Sequence, residues 1–200
     1  MIYTTNENRG GGLAAVVGLK AALDGDLVSQ PCFQLLICPV IDNTATISTT
    51  WSTSRHSPFL TPGRMEWYRQ QYFKGDTERS NWDASPCFAP TSLLAQSPSS
   101  FIGIAACDLL APEAIKYSES LREAGVTVEC KVYNGATHSV LILAGYVLSH
   151  RTLCETKADT NHNSIHSTGK QLVHDACKTL ASKFGTSYNE DEAAVLSQND

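Results

Sequence analysis

The sequence predicts an α/β fold, a mostly parallel sheet flanked by helices, and three observations carry that prediction. Strand-like and helix-like stretches alternate along the chain, which is the pattern of βαβ units. Phe33 to Val40 is a near-continuous apolar run with Pro31 and Pro39 at its ends, as a strand buried on both faces requires. The segments at helical spacing carry stop and start signals at their ends.

Taken in order, Ile2–Thr5 is a short β-prone stretch, followed by polar residues and then Gly10-Gly11-Gly12. Leu13, Val16, Val17, Leu19 and Leu23 form a helical pattern that ends near Asp24-Gly25-Asp26, with Gly25 suited to a left-handed cap. After the Phe33–Val40 strand, residues 43–57 are rich in Ser and Thr and are expected to be loop. Thr61–Phe73 is expected to be a helix, with Thr61 as N-cap and Pro62 at the first helical position. Its aromatics, Trp67, Tyr68, Tyr72 and Phe73, are assigned to packing, and Asn81–Pro90 to loop. Ser100–Ala106 is a second buried strand and Pro112–Ala124 an amphipathic helix closed by Gly125. Val126–Tyr133 alternates as a strand, Gly169–Phe184 is a last helix, and the acidic tail 185–200 is expected to be mobile. No internal repeat is visible.

Of the 200 residues, 42% are hydrophobic and 18% charged, enough apolar material for a core and too much for a disordered chain. The net charge of −5 gives no basic footprint, so nucleic acid is not expected as a partner. No apolar run approaches the ~20 residues of a membrane span, and Met1–Gly12 lacks the basic and apolar regions of a signal peptide. A cytoplasmic location is therefore expected. The seven cysteines are odd in number and show no C-x-x-C spacing. Cys32, Cys38, Cys107 and Cys130 lie in apolar runs, where reduced, buried thiols are expected.

In parallel α/β sheets functional groups gather at the carboxyl ends of strands. Asp108 follows the strand ending at Cys107, and His138 follows the Val126–Tyr133 strand across the turn Asn134-Gly135-Ala136-Thr137. On neighbouring strands the two could pair, the carboxylate fixing the imidazole tautomer. From spacing alone the plainer alternatives stay open: a helix-capping Asp and a surface His. A nucleophile would belong on a sharp strand-to-helix turn of the G-x-S-x-G kind. The corresponding place reads Asn6-Glu7-Asn8-Arg9-Gly10, with Asn8 at the nucleophile position.

Several segments, in order, resemble the hormone-sensitive-lipase-like group of α/β hydrolases, in its C-terminal half. Gly10-Gly11-Gly12-Leu13-Ala14-Ala15 is similar to the second part of that family's G-D-S-A-G-G-G-L-A-A elbow. Ile37-Cys38-Pro39-Val40-Ile41-Asp42 resembles its Y-P-V-L-D strand end, Asp83-Ala84-Ser85-Pro86 its R-A-S-P loop, and Asp108-Leu109-Leu110 its D-P-L acid motif. Leu121–Val126 and Tyr133–His138 resemble R-L-R-E-A-G-V and Y-P-G-x-x-H. The resemblance implies a truncated α/β-hydrolase fold and a carboxylic-ester hydrolase of the serine esterase/lipase type, with no cofactor and a small ester as substrate. It implies Asp108 as the triad acid and His138 as its base. Gly10 and Gly11 would let the elbow turn and the helix approach its strand, and the Arg9 amide would belong to the oxyanion hole.

Two departures bear on activity. A carboxamide at Asn8 has no hydroxyl for His138 to deprotonate, and no H-G-G-G stretch, the family's other oxyanion donor, occurs in the sequence. An inactive chain is therefore expected, alternatively a non-catalytic binding module of the same fold. Without a strand beside Ile2–Thr5, an apolar sheet edge is expected to invite self-association. The resemblance lapses at residues 146–164, an expected non-family insertion within a partial domain spanning 1–184. Codons for Gly145-Tyr146-Val147 can contain GTATGT, an intron-start sequence, and those for Asn163-Ser164 a terminal CAG, so a retained intron and lost upstream exons are the expected origin of the departures. Gly10-x-Gly12-x-x-Ala15 fits a dinucleotide fingerprint formally but lacks the acidic residue at the next strand's end. His162, His166 and Cys154 lack a metal-site pattern, and no metal is expected.

Overall fold

The computed structural model describes residues 9–24, 30–141 and 160–189. The stretch Ile2–Thr5, Asn8, the Gly25 cap, Cys154, most of the 146–164 segment and the end of the tail lie outside the described residues. The elements are α1 (Arg9–Asp24), β1 (Phe33–Ile37), α2 (Pro62–Tyr72), α3 (Asp76–Arg79), a 3-10 turn (Pro86–Phe88), α4 (Thr91–Leu94), β2 (Ser99–Ala105), α5 (Ala111–Glu123), β3 (Val128–Tyr133) and α6 (Thr160–Phe184).

The three strands are parallel in the order β1-β2-β3, with Ile37 opposite Gly103 and Ala105 opposite Tyr133. Side chains of successive strand residues point to opposite faces, and the two cores follow that period. Leu36, Ile102 and Ile104 pack with Ala15 and Leu19 of α1 and with Ala114, Tyr117 and Leu121 of α5. Phe33, Leu35, Ile37, Phe101, Ala105 and Tyr133 pack on the other face against Leu172 and Ala176 of α6. The result is helix, sheet, helix. A third cluster, with Val40, Trp51, Leu60, Met65, Leu109 and Leu110, closes the carboxyl end of the sheet under the 40–73 excursion.

The strand at Phe33 is buried at all five positions, as its apolar run predicts. Among the described residues strand β3 is the other end of the order, and its Glu129 and Lys131 pair with each other and, through Lys131 and Asp175, with α6. Thr61 caps α2 by accepting from the Arg64 amide, and Pro62 opens the helix, as read from sequence.

Several expectations are corrected. Helix α1 begins at Arg9, so Gly10-Gly11-Gly12 lie inside it rather than ahead of it. Packing overrides helix propensity there: a Cβ at Gly11 would lie 2.9 Å from the Pro39 Cβ, and one at Gly12 would run into the Val40 carbonyl oxygen. Helix α6 starts at Thr160, nine residues before Gly169, so the last residues of the 146–164 segment are helical. The strand expected from Phe33 to Val40 stops at Ile37, because Cys38 takes a φ of +44° and turns the chain. Cys32 and Cys107 are exposed rather than buried and Cys130 is intermediate, whereas Cys38 is buried. Cys32 and Cys107 fall just outside strand ends, where an apolar sequence context does not mean an interior position.

Tyr133 joins the sheet to α6: its hydroxyl donates to the Asp175 Oδ2 at 2.8 Å. Tyr133→Phe is expected to lower the unfolding free energy by about 1 kcal/mol, measured as a shift of the urea midpoint at unchanged slope.

Candidate active site

Strands β2 and β3 leave the sheet side by side, and their exits are tied together. The Ala106 amide donates to the Tyr133 carbonyl at 3.0 Å and the Cys107 amide to the Ala136 carbonyl at 2.8 Å. Gly135, at φ +76°, supplies the left-handed residue that this turn needs. Asp108 then bends back, its amide on the Ala105 carbonyl and its own carbonyl accepting from Ala111 at the head of α5. From the far side Ser57 Oγ donates to the Cys107 carbonyl at 2.9 Å, holding the excursion against the strand end.

This scaffold brings Asp108 and His138 together, 30 residues apart in sequence: His138 Nδ1 lies 2.8 Å from Asp108 Oδ2. Asp108 is 1% and His138 6% exposed. An ionised carboxylate only accepts hydrogen bonds, so this contact places the ring proton on Nδ1 and leaves Nε2 as the acceptor. The other oxygen, Oδ1, accepts from the Leu110 amide at 3.2 Å. Asp108 thus orients an imidazole and holds the Leu110 amide just ahead of α5, but it is not the capping residue: the N-cap of α5 is Leu110, with no side-chain cap.

Of the other site residues read from sequence, Asn8 and the Arg9 side chain are not among those described, and Gly10 and Gly11 sit in the first turn of α1. Gly11 and Gly12 approach the segment that follows β1 closely, at Pro39 and Val40. Since Gly11 meets Pro39, that first turn packs one residue from Cys38.

Cys38 is the neighbour that sequence reasoning did not place at the site. Its thiol joins Asp108 and His138 in a buried group whose sulfur, oxygen and nitrogen atoms all lie within 4.8 Å of one another. The available signal was its place at the carboxyl end of β1, next to the strand that delivers Asp108. A cavity of about 40 Å³ lies elsewhere, lined by Gly12, Val16, Val40, Tyr72 and Phe73, with neither Asp108 nor His138 on its wall. It has room for a few waters.

The family model for the alpha/beta hydrolase fold matches residues 7–142. The chain belongs to this family. An AB hydrolase superfamily protein of Schizosaccharomyces pombe is 37% identical over 154 residues, covering 76% of this chain and 45% of that protein. The ethyl acetate hydrolase of Pseudomonas putida is 29% identical over 148 residues, covering 73% and 45%. Among solved structures, an esterase of Pyrobaculum calidifontis superposes with a TM-score of 0.65 at 25% identity, over 86% of this chain and 50% of that one. This hydrolase-fold chain thus spans about half the length of the relatives it matches. Among its described residues no helix is long and apolar enough to cross a membrane.

Proposed function

We propose that this chain carries the acid and base of a carboxylic-ester hydrolase, Asp108 and His138, but does not itself turn over esters by acyl-enzyme chemistry. The observation that supports the pair is its geometry: a buried carboxylate 2.8 Å from Nδ1 at the carboxyl ends of adjacent parallel strands. Names of relatives such as ethyl acetate hydrolase and esterase support a small ester as the ligand class.

In a complete site of this kind, Nε2 takes the proton of a serine hydroxyl as that oxygen attacks the ester carbonyl. Asp108 meanwhile stabilises the imidazolium that forms. The sequence offers Asn8 where that hydroxyl belongs, and an amide nitrogen is too poor a nucleophile to substitute for it. Loss of the nucleophile alone costs serine hydrolases on the order of 10⁶ in turnover. The same Asn8 favours a second reading, in which the fold binds a small ester or acid without reaction.

The test is hydrolysis of p-nitrophenyl acetate and butyrate by the 200-residue protein and by its His138→Ala variant. Equal rates are expected, since any residual hydrolysis would come from surface groups. Turnover that His138→Ala abolishes would overturn the inactive assignment while upholding the pair as its machinery.

A further inference from the structure

We propose that Cys38, Asp108 and His138 together form a binding site for a thiophilic divalent cation, with Zn²⁺ as its representative. The inference stands on the geometry of the three side chains and does not depend on ester chemistry at the same pair.

The donor set argues for the ion. One thiolate, one imidazole and one carboxylate are the ligands Zn²⁺ takes in three-residue sites that keep an open fourth position. Thiolate softness disfavours Mg²⁺ and Ca²⁺, which require mostly oxygen donors. The mutual spacing also fits. With metal–ligand bonds of roughly 2.0–2.3 Å, tetrahedral donors stand about 3.3–3.8 Å apart, inside the 4.8 Å that encloses the three atoms here. Only a small parting of Nδ1 and Oδ2 from 2.8 Å is needed.

Charge balance argues for the same class of ligand. All three residues are buried, so an ion held among them must be matched in charge by its ligands. A doubly charged cation held by one thiolate and one carboxylate makes a neutral assembly, with the thiol proton released to solvent on binding and the imidazole proton moved from Nδ1 to Nε2 so that Nδ1 can ligate.

The backbone at Cys38 supplies an independent observation. A φ of +44° is the left-handed region, unfavourable for a residue with a Cβ. Extended backbone is also the preference of any residue that precedes a proline, here Pro39. The conformation is nevertheless fixed, with the Cys38 amide donating to the Gly103 carbonyl at 2.9 Å. Strain of this sort collects where a side chain must be aimed at a particular place, and this one aims a sulfur at the Asp108–His138 pair.

The experiment titrates the metal-free 200-residue protein with Zn²⁺ by calorimetry and with Co²⁺ by absorption, which reports thiolate ligation as a charge-transfer band. One equivalent is expected to bind with that band. Cys38→Ser and Asp108→Asn should each weaken affinity by about 100-fold, and Cys38→Ser should lose the band. Cys107→Ser, which alters an exposed thiol one residue from Asp108, should leave both intact. A readout independent of variant folding is the wild type's alkylation by iodoacetamide, followed peptide by peptide. Zn²⁺ should slow modification at Cys38 beyond the other cysteines. A band that survives Cys38→Ser, protection at other cysteines only, or no binding by the wild type would each overturn the site.

Discussion

Gly12→Ala is expected to destabilise the protein by roughly 3 kcal/mol, the upper range for forcing extra volume into a packed interior. The variant adds a single methyl group to a helix, which by propensity alone would gain about 1 kcal/mol. Packing reverses the sign. At Gly12 the new Cβ would be driven into the Val40 carbonyl oxygen, with the Val40 Cβ 3.7 Å away. Backbone cannot swing aside as a side-chain tip can. Relief requires α1 to lift from the segment after β1, and Ala14, Ala15 and Leu19, which seal one face of the sheet, would lift with it. Gly63→Ala is the matched control: it too lies in a helix, α2, but nothing stands within 4 Å of its added Cβ. A gain of about 0.5 kcal/mol is expected there. Urea unfolding of both variants reads the contrast, and a Gly12→Ala midpoint equal to that of the wild type would mean α1 does not approach Val40 so closely.

The same position shows what a linear reading can and cannot see. Three consecutive glycines look like a loop ahead of a helix, because their cost in a helix is local and their benefit is a contact with residues near position 40. The start of α2 was legible because Thr61 and Pro62 act within one turn of their own positions. The pairing of Asp108 with His138 was legible for a topological reason. Parallel neighbours deliver their next residues to one edge of the sheet, whatever the intervening 30 residues contain. Cys38 reaches that edge as well, but a cysteine in an apolar run reads as core, and only the left-handed turn at its φ re-aims it. Cys32 and Cys107 were misassigned by the same habit in the opposite direction. Glu113 gave no signal at all: one carboxylate on an amphipathic helix reads as solvent-facing, and its partners lie 62 to 72 residues earlier.

Glu113→Gln is expected to cost about 1–3 kcal/mol at pH 5, the penalty for leaving a buried donor without an acceptor. Glu113 Oε1 accepts from the Ile41 amide at 2.8 Å and the Asp42 amide at 3.2 Å, while Oε2 accepts from the Trp51 indole at 3.0 Å. A glutamine can serve the two amides through its carbonyl, but then turns an NH₂ toward the indole N–H. Arg69 stacks on that indole, 4.3 Å from the ring centroid, and donates to the Ala45 and Asp42 carbonyls. The loosened contact therefore spreads through the excursion that packs on Leu109 and Leu110, beside Asp108. The larger effect is on pH dependence. Burial pushes the Glu113 carboxyl from an ordinary 4.5 up to about 8, against the pull of its three N–H donors. Between those values the folded protein holds a proton that the unfolded chain has released. The resulting stability is fully present below pH 4.5 and is lost as pH rises through 8. Glutamine cannot ionise and lacks this slope, so the wild type's advantage should shrink by on the order of 1.4 kcal/mol per pH unit inside that window. It should then reverse before pH 8. Urea midpoints of both proteins at pH 5, 6.5 and 8 test this directly. A gap that stays constant from pH 5 to 8 would show instead that the three donors hold Glu113 ionised in the folded state, with hydrogen bonding rather than burial setting its charge.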